Sequence, residues 1–382
     1  MPSDLWSVHQ ECFFWFSVGE PLLGLHINAI RNFIAEYPGI KDNHLTTSGI
    51  NKEIIKPQTL GTGQPFIHKY TGVSHPKTGI PYISSATVFV SHAWKYAFYD
   101  VVVAAMEQYA SKDSDAYFWF DLFTNDQNKV AEKDFNWFSF TFRNSIKNIG
   151  KVLLILSPWD DPMPIKRAWC LYEIYQALEE NSVEFTIDLP GSQNEELKAA
   201  VIKKPECVIQ ALSDIQAQNA QAAVNSDREM IFKVIQESDG GFSHVNQNVK
   251  TGLRSWYINQ LQLLAQQDPD NDRFHIHTAY VMHEFGFLDE SLQYYTDLLS
   301  KRPADEQEEE ALAEIYNNMA IVYRDKCELD KALEYYNKSL SIRLNILGEK
   351  HPDVASSYNN MANVYSDKGD DDKALEYHNK SL

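Results

Sequence analysis

The sequence predicts an α/β domain, a parallel sheet with helices on both faces, followed by an all-α solenoid of helical repeats. Three observations predict it. Residues 152–156 (Val-Leu-Leu-Ile-Leu) form an unbroken apolar run of strand length, which suits a central parallel strand covered on both faces. Between 84 and 190, strand-like and helix-like segments alternate, the pattern of right-handed β-α-β crossovers. From about 270 the chain repeats itself. Tyr316-Asn-Asn returns as Tyr358-Asn-Asn, and Lys331-Ala-Leu-Glu-Tyr as Lys373-Ala-Leu-Glu-Tyr, each 42 residues on. A period of that size marks stacked units that cannot bury their apolar faces alone.

In chain order, residues 1–83 come first. Leu22, Leu23, Ile27, Ile30, Phe33 and Ile34 give an amphipathic helix closed by Pro38-Gly39. Turn residues dominate 42–81 and predict an extended arm lying on the next domain. Gly61-Thr-Gly63 is not a phosphate loop, because no strand precedes it and no helix follows. The α/β domain covers 84–190. Its strands are expected at 88–90, 117–121, 152–156 and 183–187, and its helices at 96–109, 135–149 and 167–178. In the last helix Ala168, Leu171, Ile174, Tyr175 and Leu178 recur at helical spacing and face the sheet. Residues 191–268 read as a helical extension or linker, with helices at 195–204, 227–236 and 249–267 and a break at Asp239-Gly-Gly241. About three repeats fill 269–382, each with two amphipathic helices; the clearest pair is 311–324 and 329–347. A weaker copy, Glu290-Ser-Leu-Gln-Tyr-Tyr, stands 41 residues before its counterpart. Leu382 falls in register with Leu340, inside a second helix, so a truncated array is expected.

At 382 residues the chain has room for two or three domains, and 20 Phe, 20 Tyr and 8 Trp provide for a substantial core. The formal net charge of −19 argues against nucleic acid or an anionic membrane as partner, since phosphate binding needs clustered Lys and Arg. Cys12, Cys170, Cys207 and Cys327 are far apart in sequence and form no CxxC motif. They fit reduced thiols in a cytoplasmic protein. The first residues lack a basic n-region, and the apolar 13–18 is too short to span a bilayer.

Two motifs suggest chemistry. Ser157-Pro158 ends the central strand, and Arg167-Ala-Trp169-Cys170-Leu171-Tyr172-Glu173 opens the following helix. Upstream, Thr87-Val-Phe-Val-Ser91-His92-Ala-Trp94 reads as a first strand and the loop after it. Together these resemble the TIR (Toll/interleukin-1 receptor/resistance) family, over roughly a quarter of the chain. The resemblance implies a flavodoxin-like fold and self-association. In enzymatic members it implies an NAD-cleaving site in which NAD is a substrate rather than a cofactor. The repeats resemble tetratricopeptide repeats, specifically the 42-residue variety of kinesin light chains, and imply a protein or peptide partner.

By that resemblance Glu173 is the catalytic candidate. A carboxylate beside the ribose stabilises an oxocarbenium-like state or attacks the anomeric carbon. The plainer reading is a solvated helix carboxylate. Ser91, His92 and Trp94 would close over nicotinamide and ribose, and Asp121 would meet the ribose hydroxyls. As plausible, His92 is bonded to backbone and Asp121 caps its loop. Trp169 and Cys170 line the pocket in one reading and pack against the sheet in the other. In the repeats, Asn317, Asn318, Asn359 and Asn360 lie on first helices, where an amide can pair with a peptide backbone through donor and acceptor. Solvent exposure or interhelical bonding is the alternative. His275, His277 and His283 match no common ligand spacing, and no metal site is expected.

Two functions from different classes follow. One is an NAD-cleaving signalling enzyme coupled to a protein-binding array. The other is a non-enzymatic adaptor or scaffold that binds peptides or cargo as kinesin light chains do. Fold alone does not separate them; the site does.

Overall fold

The computed structural model describes residues 22–382 except 134, 181, 214, 223 and 302–308. Cys12 and the apolar segment 13–18 lie outside the described residues. The chain divides into two units: Met1–Glu195 with Asp214–Leu253, and Glu196–Ser213 with Arg254–Leu382. The chain is mostly helical, with one small mixed sheet.

The sheet holds six strands: β1 (Leu23–His26), β2 (Ile83–Ser85), β3 (Val88–Ser91), β4 (Tyr117–Trp119), β5 (Lys151–Ile155) and β6 (Glu184–Asp188), in the spatial order β2-β1-β4-β3-β5-β6. β4, β3, β5 and β6 run parallel, in register Val88↔Phe118, Phe89↔Val152 and Leu153↔Thr186. The expected all-parallel sheet is corrected at one edge, where β1 and β2 pair antiparallel. β1 escaped the sequence reading because its apolar residues also satisfy a helical period. Gly24 is what lets it pair: a Cβ there would stand 2.8 Å from the Tyr117 carbonyl, closer than a side chain tolerates. The expected arm over 42–81 also differs. It winds through short helices at Thr47–Ile50, Asn51–Ile55, Lys56–Thr59 and Phe66–Tyr70, because Ile50, Ile54, Ile55, Phe66 and Ile67 are buried in the main core.

Side chains alternate across the strands and so divide between two cores. Val88, Val90, Phe118, Leu153 and Ile155 point to one face, against Ile30 and Phe33 of α1 (Ile27–Glu36) and Ala105 and Met106 of α2 (Ala104–Lys112). Phe89, Trp119 and Val152 point to the other, against Phe142 and Ile146 of α3 (Phe135–Ile149) and Ala177 of α4 (Ala168–Glu179). Each large side chain buried this way contributes roughly 1.5–3 kcal/mol. The helix expected at 96–109 begins instead as a π-helical turn, Phe98–Val103, before α2. Asp121, expected as the last residue of its strand, opens a helical turn, Asp121–Thr124. α5 (Gly191–Lys203), α6 (Glu206–Ser213), α7 (Asn225–Glu237) and α8 (Gly241–Gln267) follow.

The repeats are three helix pairs: α9 and α10 (Asp272–Glu284, Leu288–Lys301), α11 and α12 (Glu309–Asp325, Leu329–Leu347), and α13 and α14 (Pro352–Asp367, Asp371–Ser381). Small residues recur where paired helices cross. Ala279, Ala320 and Ala362 are fully buried on first helices; Ser291, Ala332 and Ala374 are buried opposite them. Tyr295 and Tyr336 fill equivalent core positions. The turn inside each pair needs left-handed backbone. Gly286, Cys327 and Gly369 adopt φ of 88°, 60° and 77°. Ion pairs recur as well: Lys326 with Asp289 and Lys368 with Asp330, then His283 with Asp325 and Arg324 with Asp367.

Candidate functional site

The carboxyl ends of parallel strands open where the sheet order reverses, between β4, β3 and β5, and this is where such sheets gather ligands. β3 ends at Ser91, and β5 leads to Ser157. α4 starts after Arg167 and carries Cys170 and Glu173 inward. Six of the residues singled out in sequence meet here through local bonds.

Ser91 Oγ donates to Glu173 Oε2 at 2.5 Å, and both residues are buried. Cys170 Sγ donates to the His92 carbonyl at 3.4 Å. Trp94 Nε1 donates to Asp121 Oδ2 at 2.9 Å. Gln127 holds the Asp121 carbonyl at 2.7 Å. The His92 ring packs edge-on to Phe120, with centroids 4.6 Å apart. Among the described residues, His92 Nε2 and Asp121 Oδ1 are buried without a partner. Unpaired buried polar atoms are costly and mark a place to explain.

Burial sets the electrostatics. It pushes the Glu173 carboxyl up to about 8, against the Ser91 hydrogen bond and with the help of Asp121. Burial lifts Asp121 to about 6, opposed by the Trp94 bond. Burial drives His92 down to about 3, and Arg167 adds to that. The Cys170 thiol is raised well above its ordinary range by burial and by Glu173. At neutral pH the cluster is therefore a protonated acid beside a neutral imidazole. Glu173 accepts from Ser91 through one carboxyl oxygen, while Cys170 stays a thiol and is a poor nucleophile.

One contact between the loops at the strand exits was not legible in the sequence. The Tyr96 hydroxyl accepts from the Ser157 amide at 2.9 Å and donates to the Ser157 carbonyl. It joins the loop after β3 to the loop after β5. Tyr96 lay inside a segment read as helix, so only the apolar run around it was a signal. The solvated-carboxylate reading of Glu173 is corrected: 8% of its surface is exposed.

Trp169 lies elsewhere. Its ring sits among Phe135, Phe138 and Phe142 of α3, and its Nε1 donates to Asp227 Oδ2 of α7 at 3.1 Å. The packing alternative describes it, because α4 turns that side toward α3 rather than toward the strand ends.

The four asparagines of the repeats are in part spoken for. Asn317 Nδ2 donates to Asn318 Oδ1 at 3.2 Å, and Asn360 Nδ2 reaches Asn317 Oδ1 at 3.5 Å across the repeat boundary. Asn318 also bonds the Tyr295 hydroxyl. Asn359 is exposed and accepts from His378 at 3.1 Å. His275, His277 and His283 bind separate partners, the Tyr294 hydroxyl, the Val201 carbonyl and Asp325. No described helix is long and apolar enough to cross a membrane.

Comparison with known proteins touches the repeats. The tetratricopeptide repeat family model matches residues 311–382. No curated protein matches the chain. Among solved structures, BtubC (BKLC) from P. vanneervenii is 23% identical, with 49% of this chain and 67% of that one covered and a TM-score of 0.29. A putative kinesin light chain with nearly identical TPR-like repeats from Podosopora anserina is 17% identical, over 50% and 92%, with a TM-score of 0.29. A MamA protein is 16% identical, over 50% and 91%, with a TM-score of 0.28. The family match and the recurring helix pairs agree that the C-terminal part of this chain is an array of tetratricopeptide repeats.

Proposed function

We propose that the chain is a protein-binding scaffold whose repeats take an extended peptide segment. The observation that carries this is the stacked array itself. Its first helices present amides, of which Asn359 is exposed and, among the described residues, meets His378. An amide of that kind pairs with peptide backbone through both its groups. The α/β unit serves in this reading as a self-association module in the cytoplasm, with a TIR-like fold. In chain order, β3, β4, β5 and β6 lie in the spatial order second, first, third, fourth, which supports the flavodoxin-like assignment. Peptide selection against the full chain tests the scaffold reading. Selected peptides are expected to bind Asn359→Ala about tenfold more weakly, roughly 1.4 kcal/mol, with Tm unchanged. A library that yields no peptide, or peptides indifferent to this change, removes the proposal.

One observation favours a second reading, NAD cleavage at Glu173. Ser91, His92, Trp94, Asp121 and Cys170 share the strand exits with it. The burial of Glu173 and its retained proton weigh against a preformed catalytic carboxylate. This reading therefore requires that Glu173 become accessible and lose its proton. NAD turnover by self-associated wild type, abolished in Glu173→Gln, is its expected signature. Equal nicotinamide release by both proteins would sink it.

A further inference from the structure

Away from the strand exits, the α/β unit carries a cleft of about 460 Å³, within the size range of small-molecule sites. Ile34 of α1, Val103 and Ala104 make its floor. One wall is the π-helical turn that holds Tyr99 and Asp100. Single π turns are costly to keep in a helix and are frequent at functional sites.

The charges around the cleft are not equivalent. Arg31 is committed: its Nε donates to Glu107 Oε1 at 2.7 Å, its second nitrogen to Glu107 Oε2, and its third to Asn28 Oδ1 at 2.9 Å. Arg31 and Glu107 therefore cancel and close one end. At the other end the Lys41 ammonium rests over the Tyr99 ring, 4.1 Å from its centroid. Among the described residues no carboxylate pairs with it. The side-chain partner of Asp100, among the described residues, is the imidazole of His44, exposed and at 2.7 Å. A pair this exposed holds weakly and its imidazole is easily displaced.

The cleft thus offers one available cation, one weakly held anion and an apolar floor between them. We infer that it binds a free α-amino acid with a large apolar side chain. The ligand carboxylate meets Lys41, its ammonium replaces His44 at Asp100, and its side chain lies on Ile34, Val103 and Ala104. A simple carboxylic acid would meet Lys41 and leave Asp100 to the exposed His44. A simple amine would leave Lys41 without an anion. The zwitterion satisfies both, as paired charges in a partly apolar site require.

Calorimetric titration of the full chain with L-phenylalanine and L-leucine tests this. Saturable binding at millimolar or lower concentration is expected. Phenylethylamine and 3-phenylpropionate, each lacking one charge, should bind about tenfold more weakly or not at all. Lys41→Met and Asp100→Asn replace exposed side chains and should keep the wild-type Tm while losing at least about tenfold in affinity. The inference is overturned by absence of saturable heat, by equal binding of the single-charge analogues, or by unchanged affinity in Lys41→Met.

Discussion

At the scale of single residues, two positions hold an unfavourable state that the surrounding fold enforces. Glu173 keeps its proton to about pH 8, while in the unfolded chain it releases it near its ordinary value of 4.5. Between those values the folded chain binds more protons than the unfolded one, so stability falls as pH rises through the window. Asp121 and Asp188, raised to about 6 and about 7, act in the same direction. His92, lowered to about 3, acts oppositely and removes stability as pH drops below its ordinary 6.5. Chemical denaturation at pH 5 and pH 8 should therefore show Glu173→Gln gaining on wild type at the higher pH. The gain should be on the order of 2 kcal/mol or more; parallel curves would contradict the burial argument. Cys327 is the second position. Its φ of 60° is the left-handed conformation that Gly286 and Gly369 adopt at equivalent turns. Cys327→Gly is expected to raise repeat stability by roughly 0.5–1 kcal/mol through relief of that conformation. Thermal melts of the full chain measure it.

Elements show what sequence patterns reach and where they stop. The central strand, α3, α4 and the repeat helices were legible because their apolar spacing has one structural solution. β1 was not, since four residues of mixed character fit a helix as well as an edge strand. Its partner requires no Cβ at residue 24, a condition set 93 residues further on by the Tyr117 carbonyl. Gly24→Val should therefore unpair β1 from β4 and cost about 1–3 kcal/mol. Wild-type stability in that variant would show that β1 contributes little. In the site, the positions of Ser91, His92, Asp121, Cys170 and Glu173 near one another were readable, because strand ends and the following helix fix them. Their protonation was not readable. It depends on how completely α4 and the loop after β3 seal against each other, and that is a property of packing. Trp169 shows the same limit: one residue from Cys170, it faces a different layer.

For the whole molecule, each unit owes its stability to a different kind of contact. The α/β unit depends on strand pairing between residues distant in sequence, such as Val88 with Phe118 and Leu153 with Thr186. The repeats depend on neighbours, with small buried residues recurring in every pair and tyrosines and ion pairs recurring between pairs. Damage to an array of this kind spreads through adjoining units. Tyr336→Ala, at a fully buried position between α11 and α13, should cost about 3–5 kcal/mol and lower the helical melt. Arg324→Ala, which loses only an exposed pair with Asp367, should cost roughly 0.2–1 kcal/mol. Circular dichroism melts of both variants, ranked against each other, decide whether packing or charge holds the array.

The phenol of Tyr96 has one more implication. It anchors the backbone amide and carbonyl of Ser157, 61 positions away along the chain. Two loops tethered by one oxygen lose their independence: a fluctuation that frees one must free the other. Amide hydrogen exchange should then show Ser157 and the 92–95 segment surrendering their protons in concert. Tyr96→Phe should let each follow its own rhythm.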